Sequence, residues 1–262
     1  MDLNGKVAII TGGAMGNGLG IAEVFLKLSA TVVILDYSDK LGTTLGQLMK
    51  ISQNVIGYKV DITDKKLVNQ IVDAVYKKYN KIDILVNNAG VAKLVKFEDM
   101  TDDIRDFHID INIKGTWNVT KAVYPYMVKN NYGKIVNLSS VTGPKVADPG
   151  EVAYATTKAA LIGFTKGLAM EGVKHNITVN AILPGYIMTP MVEGIAKDSD
   201  SNNPENVIKG IADGIPMGRL GTIQELGNLA AFLASDLSNY ITGAEFVIDG
   251  ASTLPETKSV GV

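Results

Sequence analysis

Val7-Ala8-Ile9-Ile10-Thr11-Gly12-Gly13-Ala14-Met15-Gly16-Asn17-Gly18, with an apolar segment at 19–28 behind it, decides the fold of this chain. Strand-forming residues run into a glycine-rich turn, and the turn opens an amphipathic helix. Glycine tolerates positive φ and lets a ligand come close to the backbone. A helix N-terminus behind such a turn presents free N–H groups and the positive end of the helix dipole, which suit a pyrophosphate. Glycine clusters also serve in ordinary tight turns, so context carries the weight. Here the cluster lies between a strand and a helix, and an acid, Asp36, follows about 20 residues on.

The same alternation continues outward. Strand-like runs at 7–11, 31–35, 55–59, 82–86, 134–138, 178–182 and 245–248 alternate with helical segments at 19–28, 40–50, 65–79, 103–129, 155–173 and 223–235. This βαβ rhythm predicts a parallel sheet covered on both faces. Segment 65–79 places Leu67, Val68, Ile71, Val72 and Val75 at helical spacing, with lysines opposite. The expected architecture is a single α/β domain over residues 1–262: a doubly wound, Rossmann-type parallel sheet of about seven strands. One stretch breaks the rhythm. After Pro184 the chain turns polar, through Asp198-Ser199-Asp200-Ser201-Asn202-Asn203-Pro204, and residues 186–218 read as an irregular lid over a substrate site.

Composition excludes several function classes. The chain has 262 residues, 46% hydrophobic and 20% charged, with a net charge of −2 and no long basic run. That balance suggests neither a nucleic-acid nor an anionic-membrane partner. With no cysteine, there is no disulfide, thiolate or metal–thiolate chemistry. The two histidines, His108 and His175, lack metal-ligand spacing, and no metal is expected. The N-terminal residues run straight into a strand-like segment without a signal pattern, and no apolar stretch nears the roughly 20 residues of a membrane span. A cytoplasmic protein is expected.

Asp36 points to the cofactor. A carboxylate after the second strand accepts hydrogen bonds from the ribose hydroxyls of NAD and repels the 2′-phosphate of NADP. No Arg or Lys in 13–18 or directly after Asp36 offsets that repulsion. A turn or helix-cap aspartate is the alternative reading of Asp36 alone. Further on, Tyr154 and Lys158 stand four residues apart, a spacing that brings side chains to one helical face. The ammonium there favours phenolate and lowers the tyrosine pKa, making a usable acid or base. The spacing alone arises often by chance.

Taken in order, these residues resemble the short-chain dehydrogenase/reductase family over essentially the whole chain. Thr11-Gly12-x-x-x-Gly16-x-Gly18 resembles its cofactor turn, Asn87-Asn88-Ala89-Gly90 its motif after the fourth strand, and Pro184-Gly185 its motif after the sixth. Asn112, Ser140, Tyr154 and Lys158 stand where the family has its catalytic tetrad. The resemblance implies that Tyr154 exchanges a proton with the substrate oxygen and that Lys158 holds the nicotinamide ribose. It implies that Ser140 bonds the carbonyl or alcohol, and that Asn112 anchors a water linked to Lys158. Asp61 and Ile62 are then expected at adenine, Asn88, Ala89 and Gly90 along the adenine-ribose and nicotinamide side, and Ile187 and Thr189 at the carboxamide. Ser140 is chosen over Ser139 because it precedes Val141-Thr142-Gly143; Ser139 is expected to bond backbone. Asn17 departs from the pattern, since the family most often has isoleucine between the last two glycines.

Segments 105–112, 146–151 and 253–257 further resemble a group of bacterial oxidoreductases whose natural substrates are largely unassigned. The implied activity is NAD(H)-dependent hydride exchange with a secondary alcohol or ketone, in a homotetramer joined through segments 103–129 and 155–173 and the last strand. The tail 252–262 is apolar enough to pack on a neighbour. Trp117 and Tyr124, at i and i+7, read as core or subunit-contact residues. The alternatives are an NADPH-dependent 3-ketoacyl-thioester reductase of fatty-acid type and a non-catalytic NAD-sensing protein.

Overall fold

Strand β1 (Val7–Thr11) has every residue buried because its side chains are used from both faces. Val7 and Ile9 pack with Val33, Leu35, Val68 and Val72, whereas Ala8 and Ile10 pack with Ile21, Phe25 and Ile34. Alternation at period two, with both sets apolar, is what a central parallel strand requires. The computed structural model describes residues 1–255. Beside β1 run β2 (Thr31–Asp36), β3 (Val55–Lys59), β4 (Ile84–Asn87), β5 (Gly133–Leu138), β6 (Ile177–Pro184) and β7 (Glu245–Ile248). All pairings are parallel, in the order β3-β2-β1-β4-β5-β6-β7. The order reverses between β1 and β4, and the carboxyl ends of the strands open a crevice at that switch point.

Helices α1 (Gly16–Lys27), α2 (Leu41–Leu48) and α9 (Ile223–Ala234) cover one face. On the other lie α3 (Lys65–Tyr79), α5 (Thr116–Asn130) and α6 (Val152–Gly172). Helices α1 and α9 approach so closely that a Cβ on Gly20 would sit 2.4 Å from the Ile223 carbonyl oxygen.

Two expectations are corrected. The segment 103–129 is not one regular helix. It comprises α4 (Asp102–His108), capped by the Thr101 hydroxyl, then a π-helical stretch (Ile109–Gly115), then α5. A π turn carries an extra residue that the 3.6-residue apolar period does not reveal, and it places Asn112 in the interior. The stretch after β6 is also not irregular. It folds as α7 (Pro190–Ser199) and α8 (Pro204–Asp213), whose Val192, Ile208 and Ile211 join Ile215 and Leu220 in a small core of their own. Composition hid these helices, although each begins with proline at its first position, where the missing N–H costs nothing. The tail expectation lies partly outside the described residues; Ser252 and Thr253 are within them and line the crevice.

Candidate active site

The glycine turn is held from three sides. Gly12 and Gly16 take positive φ, +66° and +55°. The Asn88 amide donates to the carbonyls of Thr11 (3.0 Å) and Gly12 (2.9 Å), while the Thr11 hydroxyl accepts from the backbone N–H groups of Asn88 and Ala89. Asp36, the last residue of β2, accepts from the Ala14 N–H at 2.8 Å through one oxygen and from the Ser38 N–H at 2.8 Å through the other. Each carboxylate oxygen keeps a lone pair for a further donor. Asp61 is turned to Thr63, accepting from its N–H and hydroxyl at 2.8 Å each, and the Ile62 carbonyl accepts from Asn118.

These elements border a cleft of about 1300 Å³. Gly12, Gly16, Asn17, Asp36, Asp61, Ile62, Asn88, Ala89, Gly90, Ser140, Tyr154, Lys158, Ile187 and Thr189 all line it. Gly18 and Asn112 do not line it; they stand behind it. The cleft meets the requirements of a dinucleotide. The first N–H groups of α1 are free of intrahelical partners by construction, and no side chain caps them at Met15. Asn17 lines the cleft, and its amide oxygen is buried without a protein partner. The Thr189 side chain makes no capping bond to α7 and packs at the position a Cβ on Gly16 would reach.

At the other end of the cleft, α6 begins at Val152, so Tyr154 lies in its first turn, near the positive end of the dipole. Lys158 lies buried one turn on, its ammonium 5.6 Å from the Tyr154 ring centroid and donating to the Leu138 carbonyl at 2.8 Å. Burial pushes the Tyr154 phenol up from its ordinary value, the Ser140 hydroxyl pulls it back, and the Glu151 carboxylate adds to the rise. The expectation that the phenol is held down is corrected: it is raised, and the influence that opposes burial is the Ser140 hydroxyl rather than Lys158. Burial also lowers Lys158 itself, to about 8. Ser139 Oγ donates to the Lys158 carbonyl at 2.7 Å, which leaves Ser140 as the hydroxyl facing the cleft.

The Asn112 side chain is committed to protein partners. Its amide donates to the Val91 carbonyl (3.0 Å) and the Thr157 hydroxyl (2.9 Å), and its oxygen accepts from the Val91 N–H (2.8 Å). It thereby fixes the chain that follows Gly90. Sequence reasoning missed a second anchor of this loop. Buried His108 donates from Nδ1 to the Ile104 carbonyl at 2.7 Å, and its Nε2 accepts from the Lys93 N–H at 3.0 Å. Nothing in the local sequence pairs positions 93 and 108; only the π-helical turn and the loop path bring them together.

The lowered Lys158 value has a measurable consequence. A lysine whose folded pKa lies below its unfolded value destabilises the fold while charged, and the penalty lifts as pH rises through the folded pKa toward the unfolded one. Between pH 8 and 10, the unfolding free energy of the protein is expected to gain about 2 kcal/mol relative to Lys158→Met. Urea unfolding of both proteins at the two pH values checks this; parallel curves would contradict it.

A family model described as enoyl-(acyl carrier protein) reductase matches residues 12–253. The chain is 52% identical over 260 residues to oxidoreductase UcpA of Escherichia coli (strain K12), covering 99% of each. It is 40% identical over 254 residues to the 3-oxoacyl-[acyl-carrier-protein] reductase FabG of Thermotoga maritima, covering 95% of this chain and 98% of that one. Among solved structures, NAD+-bound xylitol dehydrogenase superposes with a TM-score of 0.86 at 33% identity, covering 95% of this chain and 99% of that one.

Proposed function

The chain belongs to the short-chain dehydrogenase/reductase family of oxidoreductases, and from that premise we propose that it exchanges a hydride between NAD(H) and a secondary alcohol or the matching ketone. Asp36 carries the choice of NAD. It ends β2, lines the cleft, and keeps lone pairs for ribose hydroxyls. Among the described residues that line the cleft, the sole cation is Lys158, so none is placed to neutralise a 2′-phosphate beside Asp36. A relative of this fold holds NAD+.

Bound in the cleft, the dinucleotide supplies the hydride acceptor or donor. The chain's own residues supply the rest. The glycine turn and the start of α1 hold the pyrophosphate, Asp36 the adenosine ribose, Lys158 the second ribose, and Ile187 and Thr189 the carboxamide. Ser140 orients the substrate oxygen, and Tyr154 Oη exchanges its proton. A phenol held up by burial stays protonated near neutral pH, which suits donation to a ketone oxygen; it accepts from an alcohol more readily as pH rises.

Initial rates with each cofactor test this reading: NADH is expected to outperform NADPH in kcat/KM by at least about tenfold, the cost of one unmatched charge contact. The 3-ketoacyl-thioester reductase remains the second reading because of the likeness to FabG; a strong NADPH preference would reverse the ranking. Dependence on a diffusible dinucleotide pool supports a cytoplasmic location, and no described helix is long and apolar enough to cross a membrane. A homotetramer is supported by Trp117, 57% exposed against Phe164, and by Met170, 76% exposed on α6; light scattering reads the mass directly.

A further inference from the structure

The charges of the cleft are unevenly placed. Asp36 and Asp61 lie at the dinucleotide end; Glu151, three residues before Tyr154, acts on the reacting phenol, and exposed Asp148 lines the same cleft near Tyr186. Lys93 and Lys96 of the neighbouring loop are exposed and do not line the cleft. The substrate end therefore presents two carboxylates and, apart from Lys158, no cation. Glu151 is held in place: one oxygen accepts from the Asp148 N–H at 2.8 Å, and its other oxygen has no hydrogen-bond donor among the described residues. Both carboxylates act on the phenols around them. Asp148 and Glu151 add to the burial that raises Tyr186, and Glu151 raises Tyr154. Apolar Leu94, Val146, Met191 and Ile211 line the same cleft.

A carboxylate can only accept hydrogen bonds, and it disfavours a second anion close to it. Glu151 is the N-cap residue of α6, three positions before Tyr154, and lines the same cleft as Tyr154 and Ser140 with one oxygen free of protein donors, close enough for its charge to act on the Tyr154 phenol. We propose that the substrate is a polyol or the matching hydroxyketone, whose hydroxyl beside the reacting carbon donates to Glu151, and that Asp148 and Glu151 together disfavour substrates carrying a carboxylate or phosphate there. This inference rests on the oxidoreductase reading above and deepens it.

The test uses four compounds that share one reacting carbon, CH3–CH(OH)–X, and differ in X. They are isopropanol (methyl), propylene glycol (hydroxymethyl), lactate (carboxylate) and isopropanolamine (aminomethyl), with mannitol and gluconate as the longer neutral and anionic pair. With NAD, kcat/KM is expected to favour propylene glycol over isopropanol by about tenfold, the worth of one hydrogen bond to a charged acceptor. Mannitol should likewise exceed gluconate, and lactate should be the poorest of the short set. Glu151→Gln keeps the shape and removes the charge. It should cut the glycol-to-isopropanol ratio severalfold, chiefly through the KM of the glycol, because a neutral acceptor replaces a charged one, and raise lactate relative to isopropanol. Asp148→Asn should narrow the gap between mannitol and gluconate.

Isopropanolamine, whose ammonium can also donate to Glu151, is expected to exceed isopropanol; preference of the unaltered protein for lactate or gluconate would overturn the proposal. So would equal losses on glycol and isopropanol in Glu151→Gln, the mark of a merely structural residue. If Glu151→Gln fails to fold, the ranking in the unaltered protein and the Asp148→Asn comparison still decide. A panel wholly inert with NAD but turned over with NADP would instead overturn the NAD reading above, leaving this inference to be judged by the same ranking with NADP; a panel inert with both cofactors would overturn this inference. Turnover without a preference for the glycol over isopropanol and lactate overturns this inference alone.

Discussion

With Tyr154 replaced by Phe, turnover of a secondary alcohol with NAD is expected to fall by about 10²- to 10⁴-fold, the usual worth of a positioned acid or base, while NADH still binds. The substitution removes one oxygen and keeps the ring, so the first turn of α6 and the Lys158 contact below it are preserved. What is lost is the acidic hydroxyl that passes a proton to the substrate oxygen; Ser140, whose Oγ accepts from the Thr142 N–H at 3.1 Å and whose own O–H stays free to donate, can orient that oxygen, but an aliphatic alcohol is a far weaker acid than a phenol. Absorbance of NADH gives turnover, and quenching of protein fluorescence gives binding. Retained turnover would sink the assignment of Tyr154. NADH binding by the unaltered protein, with no turnover of any alcohol or ketone, would favour a sensor over an enzyme.

Gly18→Ala is expected to have the largest effect on the cofactor end. A Cβ there would lie 2.1 Å from the Gly12 carbonyl oxygen and 2.5 Å from the Asn88 amide nitrogen. Neither neighbour can yield cheaply. Gly12 is tied by its N–H to the Leu35 carbonyl at 2.8 Å, and Asn88 by its two bonds to the turn. The methyl must displace the turn, and overpacking of this kind costs about 1–3 kcal/mol or more. Loss of that size in unfolding free energy, together with NADH affinity weakened by about tenfold or more, is the expected result. Urea unfolding and an NADH titration measure the two effects separately. Unchanged affinity would mean that this turn is not the dinucleotide cradle.

The sequence made the sheet legible because burial on both faces leaves its strands apolar throughout, and all seven were found to within a few residues. Asp36 was placed after β2 and ends it instead; α6 starts at Val152 rather than at 155. Such shifts are small in sequence yet matter at the site, since they put Asp36 within reach of the Ala14 N–H and Tyr154 in the first helical turn. The lid was misread for a different reason. Polar composition dominates 198–204, whereas the apolar positions that pin α7 and α8 are few and spread between two short helices. The π-helical turn left no trace in the apolar period, so the burial of Asn112 could not be foreseen.

Local order along the chain was enough to determine the parallel α/β sheet, the glycine turn with its acid partner, and the four-residue step from Tyr154 to Lys158. Each of these depends on neighbours in sequence: the period of a strand, the start of a helix, one helical turn. Only the tertiary structure decided how the groups act. It raised the Tyr154 phenol by desolvation against the pull of Ser140, committed the Asn112 amide to Val91 and Thr157, fixed the loop through His108, and set Glu151 and Asp148 in the same cleft as the phenol. Desolvation and hydrogen bonding between distant segments depend on what surrounds a group in space, and that is settled only when the whole chain has packed.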